Sequence, residues 1–128
     1  MSEPLIFITK HTVKEGRVRD LEHVTDEFLK FVHANEPRVL AVAAYLTDKR
    51  DQLSLVQIHP DPESLDFHLQ VAGDKIHAAL NVVDNDSVEL YGTPGPTTRS
   101  LLDQIASAGV TVVEYPAPVG GFDRLGAA

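Results

Sequence analysis

The chain has 128 residues, 43% of them apolar and 23% charged, a balance that suits one domain with one core. A formal charge of −8 and eleven scattered Lys and Arg residues argue against a nucleic-acid partner, and the absence of cysteine excludes disulfides, thiolate chemistry and Cys-ligated metal centres. No apolar run nears the ~20 residues that cross a bilayer, and Met1-Ser2-Glu3-Pro4 does not open a signal peptide, so the reading is a cytoplasmic protein with no membrane partner.

In chain order, Leu5 to Val13 is β-branched and apolar and reads as a strand, followed by a turn at Glu15-Gly16. From Arg17 to about Ala34 the apolar positions Val18, Leu21, Val24, Phe28, Leu29 and Val32 form one helical stripe, which Asn35-Glu36-Pro37 ends. Two strands follow, Arg38 to Leu46 and Gln52 to His59, joined by the polar turn Thr47 to Asp51 as a hairpin. Pro60-Asp61-Pro62-Glu63 is a helix start: Asp61 can cap, Pro62 fits the first helical position and Glu63 complements the dipole. That helix is expected from Pro62 to about Leu80, burying Leu65, Leu69, Ala72, Ile76 and Ala79 or Leu80, with Gly73 as a kink or interruption.

A fourth strand is read over Ser87 to Tyr91, ending at Gly92. The order strand, helix, strand, strand, helix, strand over residues 1–92 is the ferredoxin-like pattern of an α+β fold with an antiparallel sheet. Residues 93–128 form an annex to this single domain: a linker Thr93-Pro94-Gly95-Pro96, a cap at Thr97 or Thr98, and a short helix through Leu101, Leu102 and Ile105. Gly109 stops that helix, a fifth strand runs from Val110 to Tyr115, and the tail from Pro116 to Ala128 is read as irregular.

The strands are apolar on both faces. Leu5 and Phe7 alternate with Ile6 and Ile8, and Val39, Ala41, Ala43 and Tyr45 alternate with Leu40, Val42, Ala44 and Leu46. A sheet with helices on one side and water on the other should alternate apolar and polar residues. Either a second copy of the sheet covers the outer face, making a homodimer, or the monomer has a thick core; the pattern favours the homodimer.

Several segments carry a family resemblance. Phe7-Ile8-Thr9-Lys10-His11-Thr12-Val13-Lys14-Glu15-Gly16, Asn35-Glu36-Pro37 with Leu40-Ala41, and Pro60 through Leu69 with its His68-Leu69 pair resemble the antibiotic-biosynthesis-monooxygenase superfamily. Val88-Glu89-Leu90-Tyr91-Gly92 through Val119-Gly120-Gly121-Phe122-Asp123-Arg124 is similar to the annex of its quinol-monooxygenase-like subgroup. The resemblance implies a dimeric α/β barrel that oxidises a small hydroxylated aromatic or quinol with dioxygen, without metal or flavin. Many members carry tryptophan where this chain has His59. The haem-degrading branch uses an asparagine, a tryptophan and a histidine where Thr9, His68 and His77 stand here, so two of its three residues differ.

Six histidines are the main chemical resource. The topology sets His59 and His68 toward one edge of the sheet and His11 and His77 toward the other, so four ligands around one metal are not expected, and no His-Glu-Xaa-Xaa-His pattern occurs. His68, beside Leu65, Leu69 and Ala72 on the inward stripe, is the catalytic candidate: an imidazole there can deprotonate a phenol or hold its anion. Packing against a strand carbonyl is the bland reading of the same residue. Thr9, His59, His11 and His77 are ligand-contact candidates, against a loop role for His59 beside Pro60 and surface positions for His11 and His77. Tyr45 and Tyr91 offer hydroxyls to a quinol oxygen, although strand tyrosines commonly pack with their tips in water. His23, His33 and the acidic pairs Asp26-Glu27 and Asp84-Asp86 read as solvated surface.

No Gly-Xaa-Ser-Xaa-Gly occurs, and Gly120-Gly121 lacks the strand–turn–helix setting of a phosphate or dinucleotide loop. The leading reading is thus a cofactor-independent monooxygenase. A dimeric, non-catalytic ligand-binding module is the alternative, and haem binding through His77 the third.

Overall fold

The computed structural model describes residues 4–125. Its elements run β1 (Leu5–Val13), α1 (Val18–Asn35), β2 (Ala41–Leu46), β3 (Gln52–His59), α2 (Pro62–Val71), α3 (Gly73–Leu80), β4 (Val83–Tyr91), α4 (Pro96–Ser107) and β5 (Thr111–Tyr115). The sheet order is β2-β3-β1-β4-β5. The first four strands pair antiparallel in the ferredoxin-like arrangement, and β5 joins β4 in parallel through the α4 crossover. This is the expected α+β architecture with its added helix and strand.

Strand alternation decides what each face carries. Leu5, Phe7, Thr9 and Val13 of β1 point inward and are buried. Opposite them on β3 and β4 stand His59, Gln57, Leu90 and Val88, all buried too. The helices roof this inner face. α1 contributes Leu21, Phe28 and Val32, α2 contributes Leu65, and Leu102 of α4 closes the far side. The outer face holds Ile6, Ile8, Val56 and Ile58 with Ala43 beside them, and Ile6 keeps 38% of its surface exposed.

The expected bounds shift by more than one residue in four places. The long second helix is two helices: Ala72, fully buried, leaves the α region at φ −94° and ψ 9°, and α3 starts at Gly73. A poor helix former following a wedged alanine makes this the natural break. β2 begins at Ala41 rather than Arg38. β4 begins at Val83, not Ser87, because a bulge opposite Lys10-His11 lets the polar run Asp84-Asn85-Asp86 stay in the sheet. Finally, α4 begins at Pro96, with Gly95 as N-cap, and neither Thr97 nor Thr98 caps it.

The cap comes instead from another helix. Asp66 of α2 accepts hydrogen bonds from the Thr98 backbone N–H at 2.9 Å and from the Thr98 hydroxyl at 2.7 Å. Both residues are buried. A Cβ on Gly95 would lie 2.7 Å from the Asp66 carboxyl carbon, so the close approach requires glycine. Arg99 of α4 pairs with Glu114 of β5, which fastens the two annex elements to each other. No helix among the described residues is long and apolar enough to cross a membrane.

Candidate functional site

Between the helices and the inner face lies an apolar cavity of about 170 Å³. Phe7, Phe28, Leu55, Leu69, Ile76 and Val88 supply much of its wall. Its polar lining is short: Thr9, His11, Thr25, Gln57, His68 and Asn85. A cavity of roughly 150 Å³ holds benzene, so this one suits a ligand of one ring and a few further atoms.

His68 reaches the cavity from α2. Its Nδ1 lies 2.7 Å from Oε1 of Glu36, and both side chains are almost wholly buried, at 2% and 1% exposed. Glu36 is placed there by local backbone chemistry. Pro37 forbids the α region to the residue before it, so Glu36 turns out of α1 at φ −126° and ψ 73°, with its N–H still bonded to the Val32 carbonyl. A carboxylate offers acceptors only, so the imidazole donates Nδ1–H, and Nε2 is left to whatever occupies the cavity. Phe28 packs edge-on against the ring at 5.6 Å and fixes its plane.

Glu36 does not line the cavity. It lines an open groove of about 480 Å³ on the other side, with Arg38, Ser64, Asp66 and Gln70. The hydrogen bond between Glu36 and His68 therefore bridges two separate hollows. The second carboxylate oxygen of Glu36 is buried with no hydrogen-bond partner among the described residues.

His59 sits beside this pair, 5.9 Å from the His68 ring, but is fully occupied. Nε2 donates to Gln57 Oε1 at 3.0 Å, and Nδ1 accepts from the Ser64 hydroxyl at 2.8 Å. Burial, with the neighbouring His68 adding to it, holds its pKa down at about 4. His59 thus sits neutral, tying the start of α2 to β3.

At the opposite end, His11 and Asn85 face each other across β1 and β4. His11 Nε2 lies 2.8 Å from the Thr9 hydroxyl. Burial lowers the His11 pKa, an effect that the Asp84 carbonyl and the Asp86 charge oppose.

Of the residues marked in the sequence, the structure gathers His68, Thr9 and His11 around one cavity, while His59 stands directly behind it. His77 is exposed on α3 and does not line the cavity. Tyr45 and Tyr91 lie on the outer face of the sheet. Tyr45 is 64% exposed, and Tyr91 stacks on Tyr115 at 4.7 Å. The Tyr91 hydroxyl donates to Glu89 at 2.6 Å, which pushes its pKa up to about 12. The sequence alone does not single out Glu36 or Asn85: the first reads as a helix stop and the second lies in an acidic run. Among the described residues no three His, Asp or Glu side chains come together to hold a metal ion.

No family model matches the sequence, and no curated protein is similar to it. Solved structures do resemble the fold. MupZ from Pseudomonas fluorescens superposes with a TM-score of 0.76 at 14% identity over 99% of both chains. SnoaB from Streptomyces nogalater, a cofactor-independent oxygenase, gives 0.62 at 16% identity over 73% of this chain and 96% of its own. A candidate antibiotic biosynthesis monooxygenase from Caulobacter crescentus gives 0.64 at 14% identity, covering 70% of this chain and 88% of that one. The chain thus has the fold of the antibiotic-biosynthesis-monooxygenase structures, and the MupZ match extends through the annex.

Proposed function

We propose that the chain is a cofactor-independent monooxygenase acting on a small, single-ring hydroxylated aromatic, and that it works as a homodimer joined through the outer sheet faces. The observation that carries this is a buried Glu36–His68 pair presenting one free imidazole nitrogen to an apolar cavity of one-ring size. The shared fold with an oxygenase that needs no cofactor supports it.

In this reading His68 Nε2 takes the ligand's hydroxyl proton, and Glu36 stabilises the imidazolium that forms. The phenolate, desolvated among Phe7, Phe28 and Leu69, passes one electron to dioxygen. The phenoxyl radical and superoxide combine at a ring carbon, forming the C–O bond of a peroxide. Loss of the proton on that carbon with cleavage of the O–O bond leaves a carbonyl on the ring. One oxygen atom stays in the quinone, the other leaves as water, and the substrate supplies all four electrons. The protein contributes the base, the orientation and the exclusion of water.

Oxygen uptake with a panel of hydroquinones and phenols tests this, together with labelled dioxygen. One labelled atom should enter the product. Ligand binding without oxygen uptake would sink the oxygenase reading.

A second reading rests on the same pair. A buried base needs no oxidant, so proton transfer on an oxygen-bearing ligand without redox change would use the same residues. Turnover that persists under anaerobic conditions selects this second reading.

A further inference from the structure

The end of the cavity away from His68 is not merely polar; its polar atoms lack partners. His11 Nδ1 and Asn85 Oδ1 are buried and unbonded among the described residues, and both residues line the cavity. A β-bulge puts Asn85 there. From Val88, which faces inward, simple alternation would bring Asp86 opposite His11. The register shift between Lys10 and His11 instead pairs His11 with Asn85 and sends Asp86 outward, where its carboxylate accepts from the Thr12 hydroxyl at 2.6 Å. Bulges beside sites characteristically re-aim a side chain in this way. An amide oxygen buried without a donor destabilises the fold that holds it, which marks the position as one shaped for a visitor.

The donor and acceptor pattern says what the visitor carries. Asn85 Oδ1 needs a donor. His11 already shares a hydrogen bond with the Thr9 hydroxyl through Nε2, and the Asp84 carbonyl lies beside its ring, so Asn85 Oδ1 is the group most in need of a partner. A hydroxyl satisfies it by giving its hydrogen, and in the tautomer that carries hydrogen on Nδ1 it also accepts from His11. A carbonyl, which has no hydrogen to give, leaves Asn85 unpaired.

Spacing sets how far this hydroxyl lies from the first. Leu53, opposite His11, and Gln57, beside His59 and His68, are four residues apart on β3, or roughly 13 Å along the strand. Two hydrogen bonds of ~2.8 Å take up part of that span, leaving about 8 Å between the two ligand oxygens. That is the separation in a phenol bearing a two-carbon hydroxylated side chain at the para position, whose volume is also of the cavity's order.

We propose that Thr9, His11 and Asn85 form a second ligand subsite that takes an aliphatic hydroxyl, so that the substrates are one-ring phenols with a hydroxylated side chain opposite the phenolic oxygen. This rests on the reading of the cavity as a phenol site and narrows it. His68 holds one end of the ligand; Asn85 and His11 decide which ligands are accepted.

Calorimetric binding of 4-ethylphenol and 4-(2-hydroxyethyl)phenol to the full chain tests it. The two differ by one hydroxyl. In a cavity with no polar far end, burying that hydroxyl is unfavourable and 4-ethylphenol binds better. The subsite reverses the order: the hydroxyethyl compound should bind at least ~10-fold tighter to the wild type. Asn85→Leu should remove that preference or invert it, while 4-ethylphenol affinity stays within about threefold. Asn85→Ser, smaller and still polar, provides a second variant with less risk to the fold and should keep part of the preference; melting curves check both. If wild type prefers 4-ethylphenol, or if the preference survives Asn85→Leu and His11→Leu, the subsite is overturned and the phenol end stands. If neither phenol binds, both proposals fall.

Discussion

His68 is clamped from behind by Glu36 and open in front, so changes to ring and clamp should read out differently. His68→Ala removes the base and strands the buried Glu36 carboxylate, so turnover should fall by ~10²-fold or more and stability by on the order of 3 kcal/mol in urea melts. Glu36→Gln keeps the shape and an acceptor oxygen but removes the charge opposite an imidazolium, and should lower kcat more than it raises KM. Glu36→Ala strands a buried imidazole and should cost on the order of 3 kcal/mol in urea melts. His59 gives a separate signal. Its pKa in the folded chain is held down at about 4, whereas a free imidazole titrates near ~6.5. The unfolded chain therefore binds the proton first as pH falls, so stability is full above about pH 6.5 and declines toward pH 4, by roughly 3 kcal/mol from this residue. His11, also held low by burial, adds in the same direction. Urea melts at pH 7.5 and 4.5 measure the difference, and His59→Gln should flatten it; equal stability at the two pH values contradicts the assignment. His68 was visible in the sequence because it adjoins the inward stripe of its helix. Glu36 was not, because a glutamate before a proline looks like chain punctuation until the turn it makes is seen in three dimensions.

Among the elements, the annex is the part whose attachment the sequence concealed. Threonines at a helix start read as caps, yet Thr98 is the donor and Asp66, 32 residues earlier, the acceptor. Nothing local encodes a cap supplied by another helix. Asp66→Ala should cost about 2 kcal/mol by leaving two buried donors unpaired, and Gly95→Ala should be at least as damaging because the new methyl meets the carboxylate. Limited proteolysis between β4 and α4 should accelerate in both variants, whereas unchanged cleavage would show that the annex is held by other contacts. The start of β4 was missed for a related reason. Asp84, Asn85 and Asp86 carry loop composition, and only pairing with β1 across a bulge makes them a strand. By contrast β1, α1, β3 and the start of α2 are legible, since each has either a run of β-branched and apolar residues, a helical stripe or a capping aspartate that accepts from the Ser64 N–H at 3.0 Å.

For the whole molecule, the decisive feature is an apolar sheet surface with no helices over it. Ile6, Val113 and Tyr115 each keep more than a third of their surface exposed, and Ile8, Val56 and Ile58 continue the patch. Exposed apolar area on this scale marks an interaction surface. Val56→Lys, at the centre of that face, should turn a dimer into a monomer in sedimentation at micromolar concentration while circular dichroism stays native. A wild type that already sediments as a monomer would remove the homodimer proposal. The sheet also works as a partition. Every residue around the cavity lies on the side away from the apolar outer face, so a pair of chains joined there would hold two chambers pointing in opposite directions, each walled entirely by its own chain. Titration of such a pair should follow a Hill slope of one, and halving the assembly should leave the turnover of each surviving half intact.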